Sequence, residues 1–398
     1  MLQLDAVQTL ALAGVALFLG YGLCRWIPVL GKYNLPPPVI GGLVFAIAAW
    51  IAHARDTTLF ALDTSLQTPL MIAFFTTIGM NASLRLLRIS GTQVMIFLAL
   101  ASAFAILQNL LGMAIAVGFD LHPLFGVLAG STTLTGGPAT GLAFAPLFEA
   151  AGVEGAESIA VAAAMSGIVL GGLVGGPAIT ILIRRFNLKA SATDAAGAAP
   201  DIEITEVQQS EAAREFNALK SIVVILVAMW AGAWVSGLIS STGITLPAYV
   251  GAMLVGAFIR NLDDRTGWIG MSVFTTDLIG NVCLALFLAV ALMNLRLWEL
   301  AGLALPLVLN LVVQVGAVVA FCVVIYRIMG RDYDAAIMGG GFIGFMLGTT
   351  ANAMAVMKAL VERYGPAPRA FLVAPLVGAF FIDFTNALVI TGFINFWA

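Results

Sequence analysis

The sequence predicts an all-α polytopic membrane protein with two inverted-topology repeats of five transmembrane helices, each repeat carrying a re-entrant hairpin. Composition is the first observation: 61% of the 398 residues are hydrophobic and 10% are charged, whereas soluble domains carry about 25% charge. The second is a set of ten apolar runs that approach the length needed to cross a bilayer. The third is a pair of uncharged glycine-rich segments, 126–141 and 339–353, at matching places in the two halves.

The glycine-rich segments predict where the two hairpins lie. Broken backbone at membrane depth persists only where protein or a water-filled cavity covers it. Interrupted apolar segments in corresponding positions of two halves point to the binding site of a transporter. We therefore predict hairpins at 124–148 and 335–356.

The spans follow in order along the chain. We predict them near 6–24, 38–52, 66–82, 92–118 and 158–183, and then near 219–241, 246–260, 273–293, 300–327 and 370–396. The first run has no basic segment before it, so we expect a retained span rather than a cleaved signal peptide. The first repeat then covers 1–185 and the second 219–398. The polar, acidic stretch 186–218 is predicted to be a cytoplasmic linker.

The distribution of basic residues predicts the orientation. With these spans, only Arg55 and Arg296 of the 18 Lys and Arg residues fall on one side, and the other sixteen fall on the opposite side. Cytoplasmic loops carry the excess of basic residues. Both termini are therefore expected to be periplasmic. Five spans per repeat then invert the second repeat relative to the first, and the two hairpins enter the membrane from opposite sides.

Traces of duplication support the two repeats. Pairs that recur at offsets of 211 to 213 residues are Leu35-Pro36 with Leu246-Pro247, Met80-Asn81 with Met293-Asn294, and Gly118, Asp120 and Gly136 with Gly330, Asp332 and Gly348. Agreement of the offsets favours an internal repeat over chance.

Asp383 is the one carboxylate that the sequence places deep in an apolar run, with Asn386 at i+3 on the same helical face. An ionisable group inside a span is a functional candidate by default. We read it as a ligand of a coupling ion or a counter-charge for a substrate amine, and a protonated structural aspartate remains the alternative. Asn81 and Asn294, which close the third span of each half, are further candidate sodium ligands, with interhelical hydrogen bonding as their alternative role.

The hairpins supply the candidate substrate ligands. Unpaired N–H groups at helix starts attract anions, and the sequence has no Lys or Arg deep in a span. An anionic substrate would thus be held by helix ends and hydroxyl groups, or by an arginine that reaches in from the edge of a span. The residues in question are Ser131, Thr133, Thr135, Gly136, Gly137, Thr140, Thr349, Thr350 and Asn352.

Other function classes find little support in the sequence. It contains no Walker A motif and no catalytic motif, so we expect neither an ATP-driven pump nor an enzyme, and an acid–base pair would need a second deep carboxylate. The net charge of −3 does not indicate a nucleic-acid partner. A channel with the hairpins as its filter is disfavoured because filters usually arise from symmetric oligomers.

The chain resembles the bacterial sodium/glutamate symporters over nearly its whole length, in segments such as LPPPVIGGL (35–43), AGSTTLTGG (129–137) and FFIDFTNALVI (380–390). The resemblance implies sodium-driven uptake of glutamate or a related carboxylate or amino acid across the bacterial inner membrane, with Na⁺ as coupling ion and no other cofactor or metal. It also implies a homodimer of elevator type, in which spans 3–5 and 8–10 with both hairpins slide against a scaffold of spans 1, 2, 6 and 7. The family motifs carry over onto the hairpin residues above except Asn352, onto Gly348, and onto Asp383 and Asn386.

Two positions depart from the family pattern. Where glutamate-transporting members typically have GGHGT and GHCGFGLG, this chain has GGPAT (136–140) and GFIGFMLG (341–348), so that Pro138 and Phe342 replace two histidines. A smaller or more apolar anion, or a different amino acid, is therefore an alternative substrate. A proton-coupled carboxylate carrier or antiporter that uses Asp383 as its proton site is the alternative mechanism.

Overall fold

A computed structural model describes residues 2–33, 35–55, 57, 60–89, 91–190, 211–300 and 302–397. Most of the predicted linker, residues 191–210, lies outside the described residues. The helices are α1 (Ala6–Trp26), α2 (Pro28–Lys32), α3 (Pro37–His53), α4 (Gln67–Asn81), α5 (Leu84–Ile89), α6 (Thr92–Gly118), α7 (Pro123–Val127), α8 (Gly137–Ala150), α9 (Ala156–Arg185), α10 (Glu211–Ser240), α11 (Ala248–Thr266), α12 (Val273–Met293), α13 (Ala304–Ile328), α14 (Tyr333–Met346), α15 (Thr350–Tyr364), α16 (Pro368–Leu376) and α17 (Ile382–Trp397).

Six of the described helices, α1, α6, α9, α10, α12 and α13, are long and apolar enough to cross a membrane. This confirms a polytopic membrane protein. The boundaries predicted at 92–118 and 273–293 coincide with α6 and α12. The remaining predicted spans are helical but shorter or broken: α3, α4 and α11 are short, and α16 continues into α17 through a π-helical turn, Val377–Phe381.

A small parallel sheet was not predicted. Strand β1 (Leu2–Leu4) pairs with β2 (Phe60–Leu62), with Leu2 opposite Phe60. Both strands immediately precede spans, and three-residue strands are too short for a periodicity to reveal them. Nearby, the Asp63 N–H donates to the Thr9 hydroxyl oxygen over 3.1 Å, which ties this sheet to the start of α1.

The helices pack as two bodies. Helices α1, α3, α4, α10, α11 and α12 contact one another and form what we call the six-helix body. Helices α6–α9 and α13–α17 form the second, which we call the tip-bearing body because it contains both breaks described below. The third and eighth spans, α4 and α12, therefore pack with the expected scaffold rather than with the expected moving core. The backbone of α11 at Met253 lies so close to Gly79 of α4 that a side chain at Gly79 would overlap it.

Hydrogen bonds join the two bodies at one set of helix ends. Asn395, near the end of α17, accepts from the Thr245 N–H over 2.5 Å and donates to the Thr245 carbonyl over 2.8 Å. The Ser158 hydroxyl, at the start of α9, donates to the Arg296 carbonyl oxygen over 2.7 Å. We call these four residues the clasp.

A glycine pair sets the position of α7 on α6. Gly112 of α6 and Gly126 of α7 pack backbone to backbone, and a Cβ on either would overlap the other. Small residues allow such close approach between membrane helices, where van der Waals packing is a principal attraction. The short helix α7 is held at the depth that this contact fixes.

We predict that Gly112→Ala lowers the apparent Tm of the purified protein, because overpacking costs about 1–3 kcal/mol. The matched control is Gly316→Ala in α13, where a Cβ meets no described atom within 4 Å and alanine improves helix propensity by up to about 1 kcal/mol. Thermal unfolding in detergent measures both variants. Equal Tm values for the two would contradict the close contact of α6 with α7.

Candidate functional site

The first break lies between α7 and α8. The helix widens into a π-helical turn, Leu128–Thr132, and leaves helical geometry at Gly130, with φ −99° and ψ −127°. Helix α8 begins at Gly137, whose φ of +68° lies in the left-handed region that glycine adopts without strain. We call residues 130–137 the first tip.

The second break separates α14 from α15. The two helices are antiparallel, since Gly344 lies against Ala353 while Gly341, earlier in α14, lies against Met357, later in α15. We call residues 347–349 the second tip. The two tips meet, because a Cβ at Gly137 would lie 3.8 Å from the carbonyl oxygen of Gly348.

Amide side chains from neighbouring helices hold the broken backbone. Gln108 of α6 donates to the Met346 carbonyl over 3.0 Å and accepts from the Thr135 hydroxyl over 2.6 Å. Thr135 belongs to the first tip and Met346 directly precedes the second, so this one side chain links the two breaks. Gln314 of α13 donates to the Gln108 carbonyl over 2.7 Å. Both glutamines are fully buried, so these bonds replace the water that no longer reaches the breaks.

Further polar side chains complete this support. The Ala129 carbonyl accepts from Asn310 over 2.6 Å. The hydroxyl of Thr350 donates to the Gly378 carbonyl over 2.6 Å, in the π-helical turn that joins α16 to α17. Such turns interrupt the regular helical ladder and often lie at functional sites. The start of α15 is thereby tied to the last span.

A cavity of about 970 Å³ separates the tips from the six-helix body, a size typical of ligand sites. From the tip-bearing body it is lined by Thr135, Gly136, Gly137, Pro138, Ala139, Phe345, Gly348, Thr349, Thr350, Ala351, Gly378, Ile382 and Asp383. From the six-helix body and its loops its lining includes Tyr21, Cys24, Leu35, Pro36, Pro37, Thr77, Asn81, Asp277 and Asn281.

The cavity wall combines two carboxylates with two helix starts. Asp383 comes from α17 and Asp277 from α12. Among the described residues that line the cavity, none is Lys, Arg or His. The first residues of α8 and α15 line it too, and a helix N-terminus carries roughly half a positive charge with unpaired N–H groups. The carboxylate side chains of the wall can therefore bind cations, and the backbone N–H groups at the two helix starts can bind the carboxylate of a ligand.

Asp277 was missed by the sequence reading. Its carboxylate accepts from Asn81 Nδ2 over 2.6 Å, which fixes it on the wall opposite the tips. It escaped notice because it lies near the predicted start of a span, where a solvated charge is ordinary. Asn281, which follows at i+4 on the same face and also lines the cavity, was the signal that could have found it.

The structure brings some predicted site residues together and separates others. Thr135, Gly136, Gly137, Thr349, Thr350, Asn81 and Asp383 line the cavity. Ser131, Thr133, Thr140, Asn352 and Asn386 are buried inside the tip-bearing body instead. For example, Thr133 donates to the Leu128 carbonyl over 2.8 Å, and Asn352 to the Ile168 carbonyl over 2.8 Å.

Asn294 lies apart from the other predicted sodium ligands. It follows the last residue of α12, whereas Asp277 lies near the first, so the length of this helix separates them. Asn294 lines a second, smaller cavity of about 140 Å³, together with His53 and Arg296. In that cavity His53 stacks on Trp298 with ring centroids 4.1 Å apart.

The two positions that depart from the family pattern differ in location. Pro138 lines the cavity. Phe342 is fully buried and packs among aromatic rings, 5.3 Å from Phe104 and 5.7 Å from Phe345 between centroids. A histidine at position 138 would therefore face the cavity, whereas a histidine at position 342 would be buried away from it.

Comparison with known proteins gives consistent matches. The family model described as sodium/glutamate symporter matches residues 2–366. A protein named sodium/glutamate symporter from Haemophilus influenzae is 39% identical over 393 residues, which cover 96% of this chain and 95% of the relative. Proteins of the same name from Escherichia coli and Shigella flexneri are each 42% identical over 396 residues, covering 98% of this chain and 97% of each relative.

We predict that Gln108→Leu lowers the apparent Tm and reduces ligand binding, because it removes the donor to the Met346 carbonyl and leaves the Thr135 hydroxyl only the weak acceptor Met346 Sδ. Each buried group left unpaired costs about 1–3 kcal/mol. Gln93→Leu, in the first turn of the same helix and only partly buried, is the control and should leave both properties unchanged. A wild-type Tm in Gln108→Leu would show that the tips do not depend on this side chain.

Proposed function

The chain belongs to the sodium/glutamate symporter family, and from that premise we propose that it imports glutamate or a related carboxylate or amino acid across the bacterial inner membrane. Membership makes it a transporter rather than an enzyme, with Na⁺ as coupling ion. The observation that carries the proposal is the cavity in which two helix N-termini face two carboxylates.

The substrate is held at the tips. The starts of α8 and α15 each offer unpaired N–H groups to one carboxylate, and the hydroxyls of Thr135 and Thr349 stand beside them. Two separate anion-binding helix ends suit a dicarboxylate such as glutamate. The buried residues Ser131 and Thr133 in the first tip, with Thr140 in α8 and Asn352 in α15, set the shape of this site.

Sodium binds at Asp383, with Asn386 one turn further along α17. Asn81, bonded to Asp277, faces this site from the six-helix body. A wall with two carboxylates and no basic side chain among its described residues repels an anion, so a cation must accompany the substrate. That requirement is the physical basis of coupling. Asn294 takes the place of Asn81 when the substrate site faces the opposite side.

Transport requires the two bodies to move. The cavity reaches Cys24 and Leu35, beside the end of α1 that carries Arg25, and the basic-residue distribution supports our proposal of an inward-facing state with periplasmic termini. The clasp closes the opposite end. In the proposed elevator, which uses two inverted repeats and works as a homodimer, the tip-bearing body slides past the six-helix body.

We predict that the protein reconstituted in proteoliposomes accumulates labelled glutamate under an inward sodium gradient, and that Asp383→Asn abolishes this uptake because the ion loses its charged ligand. Asp120→Asn is the matched control, since Asp120 is exposed and has a φ of +57°, which asparagine tolerates. A screen of dicarboxylates and amino acids identifies the substrate.

The alternative, proton-coupled mechanism predicts a different driving gradient in the same experiment. A proton-coupled carrier would accumulate substrate under a pH gradient without sodium, and Asp383→Asn would abolish that uptake. Absence of sodium dependence for every transported substrate would overturn the proposed coupling.

We predict that Pro138→His improves binding of glutamate relative to smaller carboxylates, because an imidazole in the cavity donates a hydrogen bond to the second carboxylate of the glutamate. A hydrogen bond to a charged group is worth about 1.5–3 kcal/mol, or roughly tenfold or more in Kd. Phe342→His is the control, since it lies in the aromatic cluster and should lower Tm without changing selectivity. Competition of labelled substrate by each acid measures the effect, and equal selectivity in both variants would contradict it.

A further inference from the structure

Ser131, in the first tip, is held on both sides by asparagines of neighbouring helices. Its N–H donates to Asn109 Oδ1 over 2.9 Å, from α6. Its carbonyl oxygen accepts from Asn386 Nδ2 over 2.9 Å, from α17. The same carbonyl accepts from the N–H groups of Thr135 and Gly136, over 3.2 and 3.0 Å. Ser131 therefore connects the last span with the part of the tip that lines the cavity.

Among the described residues, Ser131 Oγ, Thr132 Oγ1 and Asn386 Oδ1 have no hydrogen-bond partner, and neither has Asn109 Nδ2 on the side chain that accepts from the Ser131 N–H. Ser131 and Thr132 are 0% exposed and Asn386 is 1% exposed. The orientation of the Asn386 amide is fixed, because rotating it would set its oxygen against the Ser131 carbonyl. Buried polar atoms in native proteins are nearly always paired, so unpaired oxygens on two consecutive residues and on the amide bonded to one of them point to a ligand.

The donor set selects the kind of ligand. Asn386 Oδ1 is only an acceptor, and the two hydroxyl oxygens each offer lone pairs. Neutral oxygen ligands suit a hard cation rather than a transition metal. Among the residues that the structure describes, no group of three His, Cys, Asp or Glu comes together to hold a metal. Asp383, three residues before Asn386, supplies a nearby negative charge.

We propose that Ser131 Oγ, Thr132 Oγ1 and Asn386 Oδ1 form a second sodium site, buried inside the first tip, so that Asn386 serves this ion and Asp383 serves the ion in the cavity. The inference rests on the proposed sodium coupling and adds an ion to it. A cation here fixes Ser131 against α17, and through the Ser131 carbonyl it fixes the N–H groups of Thr135 and Gly136. Sodium thereby orders the anion-binding start of α8 before the substrate arrives.

The test uses Ser131→Ala and Thr132→Val, which remove one hydroxyl each with little change in shape. The control is Thr391→Val on α17, because the Thr391 hydroxyl already donates to the Ala387 carbonyl over 2.8 Å. The first readout is the sodium-dependent rise in apparent Tm of the purified protein without substrate, with choline replacing sodium in the reference. The second is the sodium dependence of glutamate uptake in proteoliposomes.

The expected result is a rise of about tenfold or more in the half-saturating sodium concentration for both test variants, with a Hill coefficient that falls towards one, while the control keeps wild-type values. Wild-type sodium dependence in Ser131→Ala and Thr132→Val overturns the second site and leaves the proposed function standing. If the wild-type protein shows no sodium dependence in either readout, both the second sodium site and the proposed sodium-coupled function are overturned. The Tm in choline separates loss of ion binding from loss of folding, since a variant that still folds matches the wild type there.

Discussion

The structure depends on one constraint: the backbone groups released where helices break must find partners inside the protein, because lipid offers none. Gln108, Asn310 and Asn386 meet this requirement with buried amides that bond the carbonyls around the two tips. These amides come from α6, α13 and α17, so the helices around the tips are bound to them as one unit. The division of the molecule into two bodies follows, since few contacts cross the remaining boundary.

The cavity at that boundary has an unusual electrostatic composition. Its negative charges sit on side chains, Asp277 and Asp383, while its positive character comes from the backbone at the starts of α8 and α15. A basic side chain would bind a carboxylate whether or not sodium were present. Helix ends bind more weakly, so in the proposed coupling the carboxylates make the presence of a cation decisive. A wall of this kind favours joint binding of ion and anion.

Much of this arrangement could be predicted from the sequence, because hydropathy and glycine content report directly on burial in lipid. The limits of α6 and α12 were predicted closely, and both helix breaks lie within the glycine-rich segments 126–141 and 339–353. Individual side chains were harder. Thr140 and Asn352 lie in the same polar segments as the cavity-lining residues, but their side chains are buried in the tip-bearing body. The start of a helix has one face towards the cavity and another towards the helices behind it, and the sequence alone does not tell these faces apart. Asp277 lies near a span end, where hydropathy does not distinguish a cavity wall from an aqueous surface. Asn294 matches Asn81 in sequence, yet one conformation cannot place both at the same cavity.

The clasp has a consequence for how the protein experiences its surroundings. Its bonds join an amide, a hydroxyl and backbone groups, without a formal charge on either side. Dissolved salt screens charges but leaves neutral hydrogen bonds nearly unaffected. These hydrogen bonds are thus nearly insensitive to ionic strength, whereas the charges beside them, Arg296 with Glu299 and Glu157, are screened by salt. In the proposed cycle sodium therefore acts as a ligand, and its screening of charges leaves the neutral hydrogen bonds of the clasp unchanged.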